Sequence, residues 1–428
     1  MALSKNSDLN LQKVVITGQG YVGLPLAMRC VEVGYKVIGY DTDDSKIQAL
    51  KASASPIDDV TNEQIATALS SNSYLPTSVQ DDLKDFEIAV ITVPTPLSDD
   101  RPDTSFIELA GSTIAKHLRS GSLVVLESTS YPGTTEEILR PILEKGSGLT
   151  CGHDFSLGFS PERIDPGNKS WTLKTTPKLI SGVDEKSVKK VKDFYGQIVD
   201  NVVVSAGIRE AEFAKLLENT YRQVNIALVN ELAVHAHALK IDIWEVIRIA
   251  ATKPFGFAPF YPGPGVGGHC LPIDPEYLTW KFAQNSGQNS DFIKLATTVN
   301  KRMPSYVVQR LVRALKDRGK DIKNSKVLVI GLSYKKNSSD VRESPALDVI
   351  ENLVNHGADV IVYDPFVKVV NQSGFTFANR LEASDLKKSD AVLILTDHDG
   401  VDYEEVLRSA SYIFDIRHCV VGHNVEYL

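Results

Sequence analysis

A glycine-rich fingerprint near the N-terminus places the strongest constraint on how this 428-residue chain can fold. Gly18, Gly20 and Gly23 form a GxGxxG pattern between a short apolar run, residues 13–17, and an apolar helical stretch. The glycines allow a tight turn and the close approach of a pyrophosphate to the helix N-terminus. Asp41 ends the next predicted strand, where a carboxylate can accept hydrogen bonds from ribose hydroxyls. This pattern predicts a dinucleotide site, and Asp41 favours NAD because it would repel a 2′-phosphate.

Strand and helix patterns alternate along the first half of the chain, as they do in doubly wound parallel sheets. Strands are predicted there at residues 13–17, 36–40, 88–93, 123–127, 178–182 and 201–205. A second α/β block begins at residue 326 and lacks the glycine fingerprint. Its strands are predicted at residues 327–330, 359–363, 391–395 and 412–415, and a helix at residues 345–355.

The stretch between the two α/β blocks is predicted to be helical. Residues 208–240 contain no Gly or Pro and predict one helix of about 45 Å at about 1.5 Å per residue. Further helices are predicted at residues 243–252, 275–284 and 291–318, the last kinked at Pro304. The predicted fold class is therefore α/β, with two Rossmann-like doubly wound domains joined by a long central helix and a helical region. Domain boundaries are predicted at residues 1–206, 207–318 and 319–428.

Composition excludes several classes of function. A formal net charge of −8 argues against a nucleic-acid-binding role. No apolar run approaches the roughly 20 residues of a membrane span, and the first ten residues carry no apolar signal region. The four cysteines lack CxxC spacing, which predicts a reduced cytoplasmic protein without a metal site: Cys30, Cys151, Cys270 and Cys419.

Candidate reactive side chains occur at four separate places. Thr129 follows a predicted strand, and Glu162 follows another apolar, strand-like run. Lys215 and Asn219 are one helical turn apart on the long helix and so share a face. A glycine-rich loop at residues 263–275 carries Cys270 and Asp274. A hydride acceptor and a nucleophilic thiol in one chain indicate oxidation past the aldehyde, through a thioester, to an acid.

Each of these residues also has an ordinary structural interpretation. Thr129 and Asp274 could cap turns or helices, Glu162 could be a solvated loop acid, and Lys215 could be a surface lysine. A single cysteine is usually a small buried hydrophobe. A Cys270–His269 pair is not expected, because adjacent side chains generally point apart.

Taken together, the motifs resemble the UDP-glucose/GDP-mannose dehydrogenase family over nearly the whole chain, from about residue 13 to about residue 418. The matching segments are Gly18–Gly23, Val93–Pro96, Ser128–Thr129, Ser160–Arg163, Lys215–Asn219, Gly267–Cys270 and Tyr334–Ser344. The resemblance implies two successive NAD⁺-dependent oxidations of a sugar C6 hydroxyl, giving a nucleotide-activated uronic acid for polysaccharide biosynthesis. It also implies a homodimer formed through the long helix and a C-terminal domain that binds the UDP-sugar.

The resemblance assigns roles residue by residue. Cys270 would carry the thiohemiacetal and thioester, Lys215 and Asn219 would stabilise oxyanions, and Asp274 would assist the base. Thr129 would hold a water, and Glu162 would act as base in hydrolysis. The implied NAD-binding residues are Gly18, Gly20, Tyr21, Val22, Gly23, Asp41, Pro94, Thr95, Thr129 and Arg342. The implied substrate-binding residues are Glu162, Arg163, Lys215, Asn219, Tyr261, Gly267, Tyr334 and Lys335.

The substrate is predicted from the loop that precedes Asp274. The UDP-glucose branch of the family more often has Ser before the cysteine and Lys before the aspartate, where this chain has His269 and Ile273. This favours UDP-N-acetylglucosamine, with UDP-N-acetylmannosamine and UDP-glucose as alternatives. Two rival functions are a two-electron hydroxyacid-type dehydrogenase and a non-catalytic nucleotide-sugar sensor. NADH production with a panel of UDP-sugars separates all of these.

Overall fold

A computed structural model of the chain describes residues 12–99, 101–164, 168, 170–268, 271–288, 290–368 and 374–428. They form two compact units that divide between Glu218 and Asn219. The predicted nucleophile, Cys270, lies outside the described residues. No helix in the described ranges combines the length and the apolar character of a transmembrane span.

The N-terminal unit is built on a parallel sheet with one antiparallel junction. Its strands are β1 (Lys13–Thr17), β2 (Lys36–Tyr40), β3 (Tyr74–Thr77), β4 (Ile88–Ile91), β5 (Leu97–Ser98), β6 (Arg101–Pro102), β7 (Leu123–Leu126), β8 (Ser156–Phe159), β9 (Lys178–Gly182) and β10 (Val202–Val204). β5 pairs with β6, and the others form one sheet in the order β10-β9-β8-β7-β4-β1-β2-β3. The helices are α1 (Gly23–Glu32), α2 (Asp44–Lys51), α3 (Asn62–Ser70), α4 (Ser105–Ala115), α5 (Arg140–Ser147) and α6 (Glu185–Ile198).

Burial on both faces explains the composition of the central strands. β4 and β7 are continuous apolar runs whose residues are all buried, which is typical of sheets covered by helices on both sides. Successive strand side chains point to opposite faces. Val14 and Ile16 therefore pack into one core, and Val15 packs into the core on the other face.

The pairing of β8 with β9 departs from the predicted parallel sheet. These two strands run antiparallel, with Phe159 opposite Ser181. A parallel connection needs a crossover element, usually a helix, whereas the described residues between β8 and β9 contain none. Because the chain returns from the end of β8 directly into the neighbouring strand β9, the two strands run antiparallel.

The predicted long helix is α7 (Ile208–Ala238), of 31 residues. It ends just before Lys240, which adopts a left-handed φ of 57°. The helices that follow are α8 (Ile243–Ala250), α9 (Asp274–Ser286) and α10 (Asp291–Asp317). α10 continues through Pro304, which is buried inside the helix.

The C-terminal unit contains a second sheet, and all its strand pairs are parallel. Its strands are β11 (Lys326–Ile330), β12 (Asp359–Tyr363), β13 (Thr376–Ala378), β14 (Ala391–Ile394), β15 (Ile413–Asp415) and β16 (Val425–Tyr427), in the order β13-β12-β11-β14-β15-β16. The remaining helices are α11 (Pro345–Asn355), α12 (Ala383–Lys388) and α13 (Tyr403–Ser409). The chain thus has the α/β architecture, with a long central helix, that the sequence predicts.

Candidate functional site

The glycine fingerprint forms a tight turn beside the N-terminus of α1. Gly18 donates its N–H to the Tyr40 carbonyl at 2.8 Å and has a φ of 90°. An added Cβ at Gly18 would lie 2.6 Å from the Thr92 carbonyl oxygen, and one at Gly23 would overlap the Gly18 carbonyl. By contrast, a Cβ at Gly20 would meet no protein atom within 4 Å. The turn therefore needs Gly18 and Gly23 for packing, whereas Gly20 borders open space that suits a pyrophosphate.

Asp41 is buried and fixed at the end of β2. One carboxylate oxygen accepts the Gln19 N–H at 2.8 Å and the Lys46 ammonium at 2.7 Å, and the other accepts the Asp43 N–H at 3.0 Å. A carboxylate held in this way can accept hydrogen bonds from ribose hydroxyls. Together with the turn that contains Tyr21 and Val22, it fits the adenosine half of NAD.

Other predicted residues follow neighbouring strands at the same edge of the sheet. Pro94 and Thr95 come after β4, Thr129 after β7, and Glu162 after β8. The Ser128 hydroxyl donates to the Val93 carbonyl at 2.7 Å and so joins the loops after β7 and β4. Ligands of open α/β sheets bind at the carboxyl ends of strands, so these loops border the expected cofactor and substrate region.

Glu162 belongs to a buried ionic cluster with Glu127, Lys178 and Tyr195. The Lys178 ammonium lies 3.1 Å from Glu127 Oε1 and 3.2 Å from Glu162 Oε2. The Tyr195 hydroxyl donates to Glu127 Oε1. Burial raises the pKa of Glu127, while Lys178 opposes the increase and Glu162 adds to it. Glu162 is thus a mostly buried, partnered carboxylate rather than a solvated loop acid.

A second buried carboxylate, Glu212 near the start of α7, holds the turn that follows Thr129. It accepts N–H groups from Gly133 at 2.5 Å and Thr135 at 2.9 Å, and the Thr135 hydroxyl at 2.7 Å. Burial raises its pKa to about 7, although these hydrogen bonds oppose the increase. Glu212 therefore ties the loop that carries Thr129 to the helix that carries Lys215.

α7 presents Lys215 and Asn219 one turn apart, and both are buried. Asn219 donates to the carboxylate of Asp274 at 2.5 Å. Asp274 is the first residue of α9, whose N-cap position is held by Ile273 without a side-chain cap bond. The structure therefore pairs Asp274 with Asn219 across 55 residues of sequence instead of using it as a helix cap. Among the described residues, no hydrogen-bond or ion-pair partner meets the Lys215 ammonium.

The glycine loop before Cys270 packs closely on the segment that precedes α11. Gly268 has a φ of 84° and donates its N–H to the Arg342 carbonyl at 3.1 Å. Added Cβ atoms at Gly267 and Gly268 would each lie 2.7 Å from atoms of Tyr334. Only glycine lets the loop backbone approach the Tyr334 ring this closely.

A buried histidine, His398, holds the backbone of the segment that contains Lys335. His398 Nδ1 accepts the Asn337 N–H at 3.0 Å, and its Nε2 lies 3.0 Å from the Asp364 carboxylate. Since Nδ1 is an acceptor, Nε2 carries the proton and donates to Asp364. The backbone around Lys335 is therefore held by residues that follow strands β12 and β14.

Two predicted arginines are paired with carboxylates of their own unit. Arg163 contacts both carboxylate oxygens of Glu218, at 3.2 and 2.7 Å, and donates to the Pro177 carbonyl. Arg342 forms a bidentate pair with Asp340. A direct role for either guanidinium in ligand binding stays a prediction.

Tyr261 is exposed, and its ring stacks on Trp244 with 5.8 Å between centroids. Two residues after Tyr261, at Gly263, the sequence pattern gives no hint of a nearby cation. Yet Arg417 packs against Gly263, where an added Cβ would lie 3.0 Å from the guanidinium. Arg417 also donates to the Leu395 carbonyl at 2.7 Å.

Sequence reasoning missed three residues of the N-terminal unit and one of the C-terminal unit that contact the loops described above: Glu127, Lys178, Glu212 and Arg417. The first two had a detectable signal, because each stands at the end of a buried strand where a charge is uncommon. Glu212 and Arg417 lie on a helix and in a loop without any motif. Only their long-range contacts reveal them.

Three domains of the UDP-glucose/GDP-mannose dehydrogenase family match this chain. The NAD binding domain matches residues 12–199, the central domain residues 209–302 and the UDP binding domain residues 328–422. The matches cover most of the chain and follow the order of its α/β, helical and α/β regions.

Individual relatives cover nearly the full length. The chain is 37% identical over 413 residues to protein CapL of Staphylococcus aureus, covering 95% of this chain and 96% of CapL. It is 38% identical over 396 residues to a UDP-N-acetyl-D-glucosamine 6-dehydrogenase of Salmonella typhi, covering 90% of each chain. Among solved structures, a UDP-D-ManNAc dehydrogenase from Pyrococcus horikoshii aligns with a TM-score of 0.87 and 34% identity, covering 97% of this chain and 99% of the other.

Proposed function

Because this chain belongs to the UDP-glucose/GDP-mannose dehydrogenase family, we propose that it oxidises the C6 hydroxyl of UDP-N-acetylglucosamine to a carboxylate. The chain is an NAD-dependent oxidoreductase and carries the UDP-binding domain of the family. Beyond this activity, we propose N-acetylglucosamine as the sugar of the substrate, a thioester at Cys270 and a set of site residues. One turnover would consume one water and two NAD⁺ and give the UDP-uronate, two NADH and three protons.

When bound at the glycine turn, NAD⁺ would supply the hydride acceptor for both oxidations. Gly18, Gly20, Gly23 and Asp41 would hold its pyrophosphate and ribose. The loops with Tyr21, Val22, Pro94, Thr95 and Thr129 would border the rest of the cofactor, and Arg342 would contact it from the C-terminal unit. A carboxylate at position 41 excludes the extra phosphate of NADP by charge repulsion.

The observation that supports the catalytic assignment best is the buried set on and near α7. Lys215 is a buried ammonium without a carboxylate partner in the described residues, which suits the stabilisation of a developing oxyanion. Asn219 donates a hydrogen bond to Asp274. Asp274 is the first residue of α9 and lies four residues after Cys270 in the sequence. Asp274 would accept the proton of the C6 hydroxyl, directly or through water.

Cys270 would then add to the C6 aldehyde and form a thiohemiacetal. Loss of a second hydride gives a thioester, which water cleaves with Glu162 as the base. Arg163, Tyr261, Gly267, Tyr334 and Lys335 would contact the UDP-sugar. The close packing of Gly267 and Gly268 on Tyr334 supports this, because it holds the loop backbone beside the Tyr334 ring.

The Cys270 step is tested by Cys270→Ala and Cys270→Ser. Wild-type turnover should give two NADH per uronic acid, whereas both variants should lose acid formation and keep the fold. The serine hydroxyl is far less ionised than a thiol near neutral pH. Acid production by Cys270→Ala at the wild-type rate would refute the thioester route.

The choice of sugar is tested by comparing kcat/KM for UDP-N-acetylglucosamine, UDP-N-acetylmannosamine and UDP-glucose. His269 and Ile273 support the N-acetylglucosamine branch, and the Salmonella typhi relative bears that activity in its name. The Pyrococcus horikoshii relative is a UDP-N-acetyl-D-mannosamine dehydrogenase at 35% identity, which makes that sugar the second candidate. Equal or better efficiency on UDP-glucose would contradict the assignment.

We also propose a cytoplasmic homodimer formed through α7. Exposed apolar side chains recur along this helix at intervals of four or seven residues: Phe213, Leu217, Tyr221, Leu228 and Leu232. A stripe this long is costly to leave in water and is suited to a second copy of the helix. Sedimentation should show a dimer that Leu217→Lys with Leu228→Lys converts to a monomer. A stable, active wild-type monomer would reject the proposal.

A further inference from the structure

The buried ionic cluster of Glu127, Glu162, Lys178 and Tyr195 lies within the N-terminal unit and contains one ammonium between two carboxylates. Glu127, Lys178 and Tyr195 are 1%, 3% and 0% exposed. Isolated buried charges are strongly unfavourable, so such a group persists only when its charges and hydrogen bonds are matched. The two carboxylates outweigh the effect of burial and raise the pKa of Lys178, which therefore stays an ammonium.

Lys178 contributes one of three hydrogen-bond donors that fix Glu162. Glu162 Oε2 receives the Lys178 ammonium at 3.2 Å. Glu162 Oε1 receives the N–H groups of Arg163 at 2.7 Å and Ile164 at 2.6 Å. Both oxygens are held, so the carboxylate has a defined orientation.

Lys178 is itself held by contacts with Glu127 and Tyr195. Glu127 Oε1 lies 3.1 Å from its ammonium and also accepts the Tyr195 hydroxyl. The Tyr195 ring faces the ammonium, with 5.3 Å from Nζ to the ring centroid. Strand β9 supplies Lys178, strand β7 leads into Glu127, and helix α6 supplies Tyr195, so three elements of one unit position this cation.

We propose that Lys178 is a positioning residue for thioester hydrolysis, holding the Glu162 carboxylate in the orientation in which it accepts the proton of the attacking water. This rests on the proposed function, since it needs Cys270 as the acyl carrier and Glu162 as the base. The water oxygen bonds to the thioester carbonyl carbon while an O–H bond breaks and the proton passes to Glu162. The C–S bond then breaks, the Cys270 thiolate leaves, and the uronic acid and Glu162 release their protons to solvent.

The proposal separates the two halves of the reaction. The hydride transfers and the addition of the thiol do not use Glu162, whereas hydrolysis does. Removing the Lys178 charge should therefore leave acylation in place and slow deacylation. A cluster that only stabilises the fold would instead affect both halves together.

The test is rapid mixing of Lys178→Met with UDP-N-acetylglucosamine and NAD⁺. We expect a burst of two NADH per subunit, followed by a steady state roughly 10- to 100-fold slower than wild type. Intact-mass measurement after the burst should show a covalent UDP-uronyl adduct on the chain. Lys178→Arg, which keeps the cation, should recover most of the steady-state rate.

Lys178→Met leaves Glu127 buried without its cation and can lower stability. The double variant Lys178→Met with Glu127→Gln removes both charges and keeps an acceptor for Tyr195. It should show the same burst and adduct. An unchanged steady-state rate in this folded double variant, or a burst lost in parallel with the steady-state rate, would overturn the role of Lys178.

The same data distinguish failure of this inference from failure of the proposed function. If Cys270→Ala still forms acid, the thioester route itself is wrong. If Cys270→Ala is inactive while the Lys178 variants hydrolyse at the wild-type rate, only the role of Lys178 is rejected.

Discussion

The two α/β units begin with the same backbone arrangement and use it differently. Gly18 and Gly331, with φ of 90° and 92°, each follow the first strand of their sheet. They donate to Tyr40 and Tyr363, at the ends of the adjacent strands, at 2.8 and 2.9 Å. An aspartate then follows each of these strands, Asp41 in one unit and Asp364 in the other, and accepts N–H groups of the opposite loop.

The units differ in the residues that follow the shared glycine. In the N-terminal unit Gly20 leaves open space, and α1 begins at Gly23. In the C-terminal unit the fully buried Leu332 stands next to the glycine, and α11 begins only at Pro345. The first turn is suited to a phosphate at a helix N-terminus, whereas the second leads into the loop that carries Tyr334 and Lys335.

The two aspartates have correspondingly different environments. Asp41 keeps a lysine partner that is partly accessible to solvent. Asp364 accepts four backbone N–H groups and the fully buried His398. The same position is therefore proposed to bind a ligand in one unit, whereas it holds the fold in the other. Five predictions test this contrast.

The largest effect is expected for Asp364→Ala. It leaves the buried donors of Asp364 without an acceptor, which should lower the free energy of unfolding of the C-terminal unit by about 3–5 kcal/mol. Chemical denaturation measures this, and Asp364→Asn, which keeps one carbonyl oxygen, should lose less. A loss below about 1 kcal/mol would show that Asp364 does not hold the loop.

The next effect concerns pH. The pKa of Glu212 is raised from 4.5 to about 7, so the native N-terminal unit retains a proton that the unfolded chain releases. Its stabilisation is therefore complete below about pH 4.5 and is lost as pH rises through about 7. Glu212→Gln should flatten this dependence by on the order of 2–3 kcal/mol. Unfolding measured from pH 4.5 to 8 provides the check.

Asp364 should show the opposite dependence on pH. Burial alone would raise its pKa, but the hydrogen bonds from His398, Ser333 and Leu332 lower it from 3.8 to about 2. Its stabilisation is present above about pH 4 and is lost as pH falls toward 2. If Glu212→Gln changed stability only below pH 4, the assignment of the neutral-pH dependence to Glu212 would be wrong.

A smaller change is expected for Asp41→Ala, and it should appear in binding. Loss of the ribose contacts should weaken NAD⁺ binding roughly 10- to 100-fold, or about 1.4–2.8 kcal/mol. The free energy of unfolding should fall much less in Asp41→Ala than in Asp364→Ala. Calorimetric titration with NAD⁺ and NADP⁺ measures both affinities, and a wild-type preference for NADP⁺ would contradict the role of Asp41.

The smallest effect is expected for Gly20→Ala. The new methyl group meets no protein atom but enters the space for the pyrophosphate, so NAD⁺ affinity should fall about tenfold with little change in melting temperature. Gly331→Ala is the matched control, because its Cβ would lie 2.5 Å from Thr396 at a positive φ. That control should destabilise the fold. Wild-type NAD⁺ affinity in Gly20→Ala would place the pyrophosphate elsewhere.

Much of this architecture could be predicted from local patterns. Short segments with apolar residues after an initial charged residue were predicted as β1, β2, β9 and β12, with the bounds that the structure shows. Residues 208–240 contain no Gly or Pro and were therefore predicted as one helix. The observed α7 begins at the predicted residue and ends two residues before the predicted end. The antiparallel β8–β9 pair was not predicted, because strand direction depends on the path of the connection and not on the composition of either strand.

By itself the sequence determined most of the central strands, the long helix and the glycine turn with its terminal acid, and it supplied the candidate reactive residues, because each depends on neighbours along the chain. Tertiary structure decided which charges meet. Lys178 joins Glu127 and Glu162, Glu212 holds a turn 77 residues away, and Asn219 holds Asp274. These contacts arise only when distant strands and helices pack and exclude water, since a buried charge is stable only beside a partner that the fold brings to it.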